Sequence, residues 1–152
     1  MKKEDLQYFG VIFIIIFLAS TFTIFYAGRE KSTPQLCRQI FMGMVEGRQS
    51  VEKFIDWNQL NAFGIDVSAI YPMLPNEKEK ADYRREFFSN LSMGFKQLGG
   101  RPQAFINWRI FKIEGSKTIV AADYAGENKT VLFTLSKDPD KKLIAIEWEK
   151  NE

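Results

Sequence analysis

From Leu6 to Gly28 no charged residue occurs, and the middle of that stretch reads Val11-Ile12-Phe13-Ile14-Ile15-Ile16-Phe17-Leu18-Ala19. About twenty helical residues rising ~1.5 Å each cross the ~30 Å hydrocarbon layer of a bilayer, so the pattern predicts one transmembrane helix. Tyr8 and Tyr26 stand near its two ends, where amphipathic rings favour the membrane interface, and Lys2, Lys3, Arg29 and Lys31 lie outside them. A cleaved signal peptide has a shorter apolar core followed by small residues; here Phe22, Phe25 and Tyr26 occupy that place. Residues 1–28 are therefore read as a retained signal anchor, 29–33 as a linker and 34–152 as a water-soluble domain. A stub of a few residues ahead of the anchor, with a large domain behind it, suits a single-pass protein of the cell membrane whose domain lies outside the cytoplasm.

Beyond the linker the period changes to that of amphipathic helices. Ser32-Thr33-Pro34-Gln35 offers a capping residue, a first-turn proline and a glutamine at capping-box spacing. Leu36, Ile40, Phe41, Met44 and Val45 then recur at three and four residues, and Gly47-Arg48 interrupts them before Val51, Phe54 and Ile55. This predicts one kinked helix or two short ones. Between Trp57 and Pro75, loop residues alternate with apolar ones, and a short helix is expected at Val67 to Tyr71. Asn76-Glu77-Lys78-Glu79 is a second capping box, after which Ala81, Arg84, Phe88, Leu91, Phe95 and Leu98 form one helical line that ends at Gly99-Gly100.

After Pro102 the pattern becomes β-like in four runs, Ala104 to Ile113, Thr118 to Ala125, Thr130 to Ser136 and Leu143 to Glu149, separated by short turn-forming segments. Turns this short impose antiparallel neighbours. The expected fold is α+β: helices packed on a curved four-stranded antiparallel sheet.

Composition narrows the chemistry. With 21 Lys plus Arg against 19 Asp plus Glu, a net charge of +2 gives no electrostatic footprint for nucleic acid. The absence of histidine removes the commonest general base and zinc ligand, and the single cysteine, Cys37, cannot form an intramolecular disulfide. No phosphate loop, metal-ligand cluster or nucleophile elbow appears, so neither a cofactor nor a metal is expected.

The order of an amphipathic helix, a Gly-containing break, further helices and an antiparallel meander resembles the nuclear transport factor 2-like superfamily, also called cystatin-like. The stretches Trp108-Arg109-Ile110-Phe111-Lys112-Ile113-Glu114-Gly115, Lys129-Thr130-Val131-Leu132-Phe133-Thr134-Leu135 and Leu143-Ile144-Ala145-Ile146-Glu147-Trp148 look close to its small exported or membrane-anchored bacterial domains. The resemblance covers about Pro34 to Glu149 and implies a cone between sheet and helices. It also implies kinship of plan with the inner-membrane assembly proteins of type IV secretion systems, which work through protein contacts. Enzymes of the superfamily place a carboxylate or a His–Asp pair in the cone with a Tyr or acid as donor. Here Asp66, Asp123, Tyr71 and Tyr124 are the substitutes on offer, and adjacent Asp123 and Tyr124 in a strand point to opposite faces.

The aromatic residues are read chiefly as core, with Trp57, Phe63, Tyr71, Trp108, Tyr124 and Trp148 as candidate cavity-lining positions. The expected function is a membrane-anchored extracytoplasmic interaction or assembly module without catalytic activity, whose partner is a protein or a second copy of itself. The alternative is a small apolar ligand-binding protein, or an acid/base enzyme, using the cavity between helices and sheet.

Overall fold

The computed structural model describes residues 32–97, 99–136 and 140–150. The anchor expected at residues 1–28, with Tyr8 and Tyr26, lies outside them. Among the described residues no helix is long and apolar enough to cross a membrane.

From Thr33 onward the chain forms one compact unit. Helix α1 (Thr33–Val45) buries Cys37, Ile40, Phe41, Met44 and Val45 along one face, following the apolar period. Gly47, at φ 70°, ends it: the Gly47 N–H donates to Met44 O (3.1 Å) and the Arg48 N–H to Gly43 O (2.8 Å), the paired bonds of a Schellman motif. A 3-10 turn (Gln49–Phe54) replaces the second short helix expected there. Helix α2 (Val67–Ile70) is capped by Asp66 and runs into a 3-10 turn at Tyr71–Met73.

Helix α3 (Glu77–Gln97) begins as its capping box predicts. The Glu79 N–H donates to Asn76 Oδ1 (2.9 Å), while Asn76 Nδ2 donates to Glu79 Oε1 (3.2 Å). It ends in a second Schellman motif, with Gly99 N–H on Lys96 O and Gly100 N–H on Phe95 O.

The fold class is α+β, but the sheet differs from expectation. It has six strands, not four, and is mixed, not purely antiparallel. The four predicted runs form β3 (Phe105–Glu114), β4 (Lys117–Tyr124), β5 (Lys129–Ser136) and β6 (Leu143–Trp148), joined antiparallel in sequence order. Two strands of two residues each, β1 (Asn61–Ala62) and β2 (Ile65–Asp66), add a hairpin to the free side of β6, giving the order β2-β1-β6-β5-β4-β3. β1 runs parallel to β6, with Asn61 beside Ala145 and Ala62 beside Ile146. Ahead of it, the Ile55 bridge to Leu143 and the bond from Asp56 N–H to Leu143 O (3.0 Å) already hold the chain along β6.

The core lies between α1 and one face of the sheet. Phe41 packs edge-on against Phe105 and Phe133, with ring centroids 4.8 and 5.2 Å apart, and Val120, Val131, Leu135, Leu143 and Ile146 complete the layer with no exposure. Burying this many large side chains at about 1.5–3 kcal/mol each supplies the main drive for folding.

Candidate functional site

Along α3, Tyr83, Glu86, Phe87, Asn90, Leu91, Gly94 and Phe95 recur at steps of three and four, so they form one stripe. That stripe touches the sheet at its end, where Phe95 lies 5.6 Å from Phe105 of β3. It faces a half-enclosed cleft of about 810 Å³, within the range that ordinary ligand sites occupy. The opposite wall comes from the hairpin (Ala62, Phe63, Ile65), the end of β4 (Tyr124), the β4–β5 turn and start of β5 (Glu127, Lys129) and the end of β6 (Trp148). Most of the lining is apolar, and Ile65 and Trp148 remain 54% and 42% exposed, although both are large and hydrophobic.

The wall on the sheet side is an aromatic chain. Phe63 lies 5.8 Å from Trp148, which meets Tyr124 edge-on at 6.4 Å, and Tyr124 continues to Phe105 at 5.0 Å. Lys129 places its ammonium 5.7 Å from the Trp148 ring centroid and pairs with Glu127 at 2.8 Å. On the helix side, burial and then the nearby Glu86 carboxylate push the Tyr83 hydroxyl above the ordinary tyrosine range. The phenol therefore stays protonated at neutral pH and can donate a hydrogen bond.

Three of the six cavity candidates read from the sequence, Phe63, Tyr124 and Trp148, line the cleft. The other three lie elsewhere. Trp57 is buried among Tyr71, Phe87 and Phe88 and donates from Nε1 to Glu52 O (3.3 Å). The Tyr71 hydroxyl accepts from Arg84 (2.5 Å), whose Nε also donates to Glu52 Oε2 (2.8 Å) in a partly buried cluster that ties α3 to the 3-10 turn. Burial opposes the charge on Arg84, but the bonds to Tyr71 and Glu52 outweigh it, so its pKa rises. Trp108 leans on Phe133, with centroids 5.0 Å apart, and donates from Nε1 to Phe105 O (2.9 Å).

The two candidate bases have structural partners. Asp66 caps α2, accepting from the Ala69 N–H (3.2 Å) and from Ser68 Oγ (2.5 Å). Asp123 accepts from Arg109 (2.9 Å), Asn107 (3.1 Å) and Thr130 (3.3 Å). The Arg109 hydrogen bond first, and those of Asn107 and Thr130 after it, hold the Asp123 carboxyl below the ordinary aspartate range, the wrong direction for a base poised near neutrality. Neither carboxylate lines the cleft. Cys37, fully buried in α1, has its thiol pushed up by burial and is a packing residue. Among the described residues no cluster of His, Cys, Asp or Glu could hold a metal ion.

On the helix side of the cleft, Leu91 and Phe95 belong to the helical line read from the sequence, whereas Tyr83, Glu86, Phe87, Asn90 and Gly94 do not. The signal for the rest is a second line, from Tyr83 and Phe87 by steps of four to Leu91 and Phe95, which shares those last two residues with the first. Together the two make an apolar stripe wider than one sheet contact uses. The arrangement is a half-enclosed, mostly apolar cleft between α3 and the sheet, with Asp66 and Asp123 both outside it. The chain matches no protein-family model, no curated protein and no solved structure with which it was compared.

Proposed function

We propose that this domain is a non-catalytic binding module that takes a small apolar ligand into the cleft between α3 and the sheet. The expected anchor at residues 1–28 would hold it at the cell membrane, outside the cytoplasm. Helices over an antiparallel meander, with an apolar cleft beneath them, are consistent with the nuclear transport factor 2-like resemblance and its cone.

The observation that carries the proposal is Gly94. Glycine inside a helix costs about 1 kcal/mol relative to alanine, and it persists where a partner backbone or ligand comes close. At Gly94 a Cβ would meet nothing within 4 Å, so no internal contact calls for the glycine. It faces the cleft, which makes room there for an occupant.

The test uses the full chain in phospholipid vesicles with a diazirine-bearing fatty alcohol as photoprobe, and mass spectrometry to map the adducts. Adducts are expected on the Phe63, Leu91, Phe95 and Trp148 peptides. Gly94→Phe, which fills the cleft, is expected to lower them about tenfold, the equivalent of ~1.4 kcal/mol, with labelling of residues 6–28 unchanged. Cleft labelling that is absent in the parent, or unaffected by the substitution, would refute the proposal.

A protein-contact role is the second reading, and the edge strand β3 favours it.

A further inference from the structure

β3 ends the sheet. β4 flanks one of its edges, and among the described residues no strand flanks the other. A free edge is a row of unpaired N–H and C=O groups that templates pairing with another chain, and monomeric proteins shorten it or place proline and charge there. β3 has ten residues and no proline, and its charges, Arg109, Lys112 and Glu114, are of both signs and so can be matched by a complementary strand. Ile106, Ile110, Phe111 and Ile113 are 44, 50, 48 and 59% exposed along it. A register shift between Ile106 and Arg109, with Asn107 at φ 54°, bends the first part of the strand and leaves Arg109 to Glu114 as the segment open to pairing.

The order of side chains in that segment selects its partner. Arg109, Lys112 and Glu114 lie opposite Ala121, Ile119 and Lys117 of β4, so they share one face of the sheet. Ile110 and Ile113, opposite Val120 and Thr118, share the other. Lay a second copy antiparallel to the first, with the two-fold axis between Phe111 and Lys112. Arg109 of each copy then stands opposite Glu114 of the other, Ile110 opposite Ile113, and Phe111, the extra residue of the second register shift, opposite Lys112. Faces and charges agree at once. A slip of one residue sets Arg109 opposite Ile113 and mismatches the faces. A slip of two in one direction sets Arg109 opposite Lys112, like against like, and in the other leaves Glu114 opposite Phe111. Within each copy Arg109 already pairs with Asp123 at 2.9 Å, and Glu114 with Lys112. The dimer would join these pairs into a ladder of alternating sign.

We infer that the chain forms a two-fold dimer through β3, in the register that pairs Arg109 with Glu114 and Ile110 with Ile113 of a second copy. The inference does not rest on the cleft, since none of the residues from Arg109 to Glu114 lines it.

The test is sedimentation equilibrium of the full chain in neutral detergent, with far-ultraviolet circular dichroism to verify folding of each variant. The parent is expected to be a dimer. Arg109→Glu and Glu114→Arg should each raise the dissociation constant about tenfold, because each sets two like-charge pairs across the axis. The double variant Arg109→Glu/Glu114→Arg restores both pairs in reverse and should return within about threefold of the parent. Ile113→Lys should yield monomer. A monomeric parent, a dimer indifferent to all four variants, or a double variant no tighter than the single ones would overturn the inference. Should a charge reversal unfold the chain, Ile113→Lys and Ile110→Lys decide alone: a folded dimer in either refutes the pairing.

Discussion

Phe63 occupies the tip of the β1–β2 hairpin with φ at 52°, followed by Gly64 at 84°. Two successive positive φ values are those of a type I′ turn, whose usual sequence is Asn-Gly or Asp-Gly. A bulky side chain there costs about 1–2 kcal/mol, and the ring recovers part of it against Trp148 at 5.8 Å. Phe63→Gly should relieve the backbone and lose the ring, whereas Phe63→Ala loses the ring and keeps the strain. The alanine variant is therefore expected to be less stable than the glycine variant by about 1 kcal/mol in urea titration, the reverse of the order at an ordinary strand position, and both should weaken labelling of the cleft. At this scale the sequence was partly legible. Phe63, Tyr124 and Trp148 could be named as cavity candidates because large aromatic side chains line apolar pockets as well as cores. The assignment of Trp57, Tyr71 and Trp108 to the core could not be read, since it depends on which face of the sheet or turn each one meets.

Elements were the most legible level, because their signals are local. Both long helices begin at capping sequences and end at Gly47 and Gly99, whose left-handed conformations close Schellman motifs. The contact of α1 with the 3-10 turn depends on a different glycine. A Cβ on Gly43 would run into the Cγ1 of Val51, a buried side chain that holds the turn under the helix. Gly43→Ala is therefore expected to destabilise the domain by about 1–3 kcal/mol through overpacking, despite the better helix propensity of alanine. Gly43→Ala/Val51→Ala should recover most of that loss relative to Val51→Ala alone, as a double-mutant cycle by urea unfolding can measure. Gly94 is the contrasting case: Gly94→Ala, with open space at its Cβ, should raise stability by about 0.5–1 kcal/mol. The elements that escaped the sequence were β1 and β2. Each has two residues, and their place is set by parallel pairing with β6, a strand far along the chain, so no local periodicity announced them.

At the scale of the whole molecule, β6 joins the parts. It pairs with β5 on one side and with β1 on the other, and the carbonyl of Ile146 accepts from the Phe63 N–H at 2.7 Å. Ile146 is fully buried between these neighbours. Ile146→Ala is expected to cost about 2–5 kcal/mol, a large share of the ~5–15 kcal/mol that separates folded from unfolded domains. Because the hairpin wall hangs on this strand, cleft labelling should fall even where the protein remains folded. By itself the sequence determined the α+β class, the four long strands, the helix ends and the expectation of an anchor over residues 1–28, all from periodicities and caps spanning a few neighbouring residues. Only the tertiary structure decided that the sheet gains a parallel hairpin, that the α3 stripe faces open space, and that Asp66 and Asp123 are held by structural partners. Those outcomes depend on contacts between segments far apart in the chain, which short-range patterns do not encode.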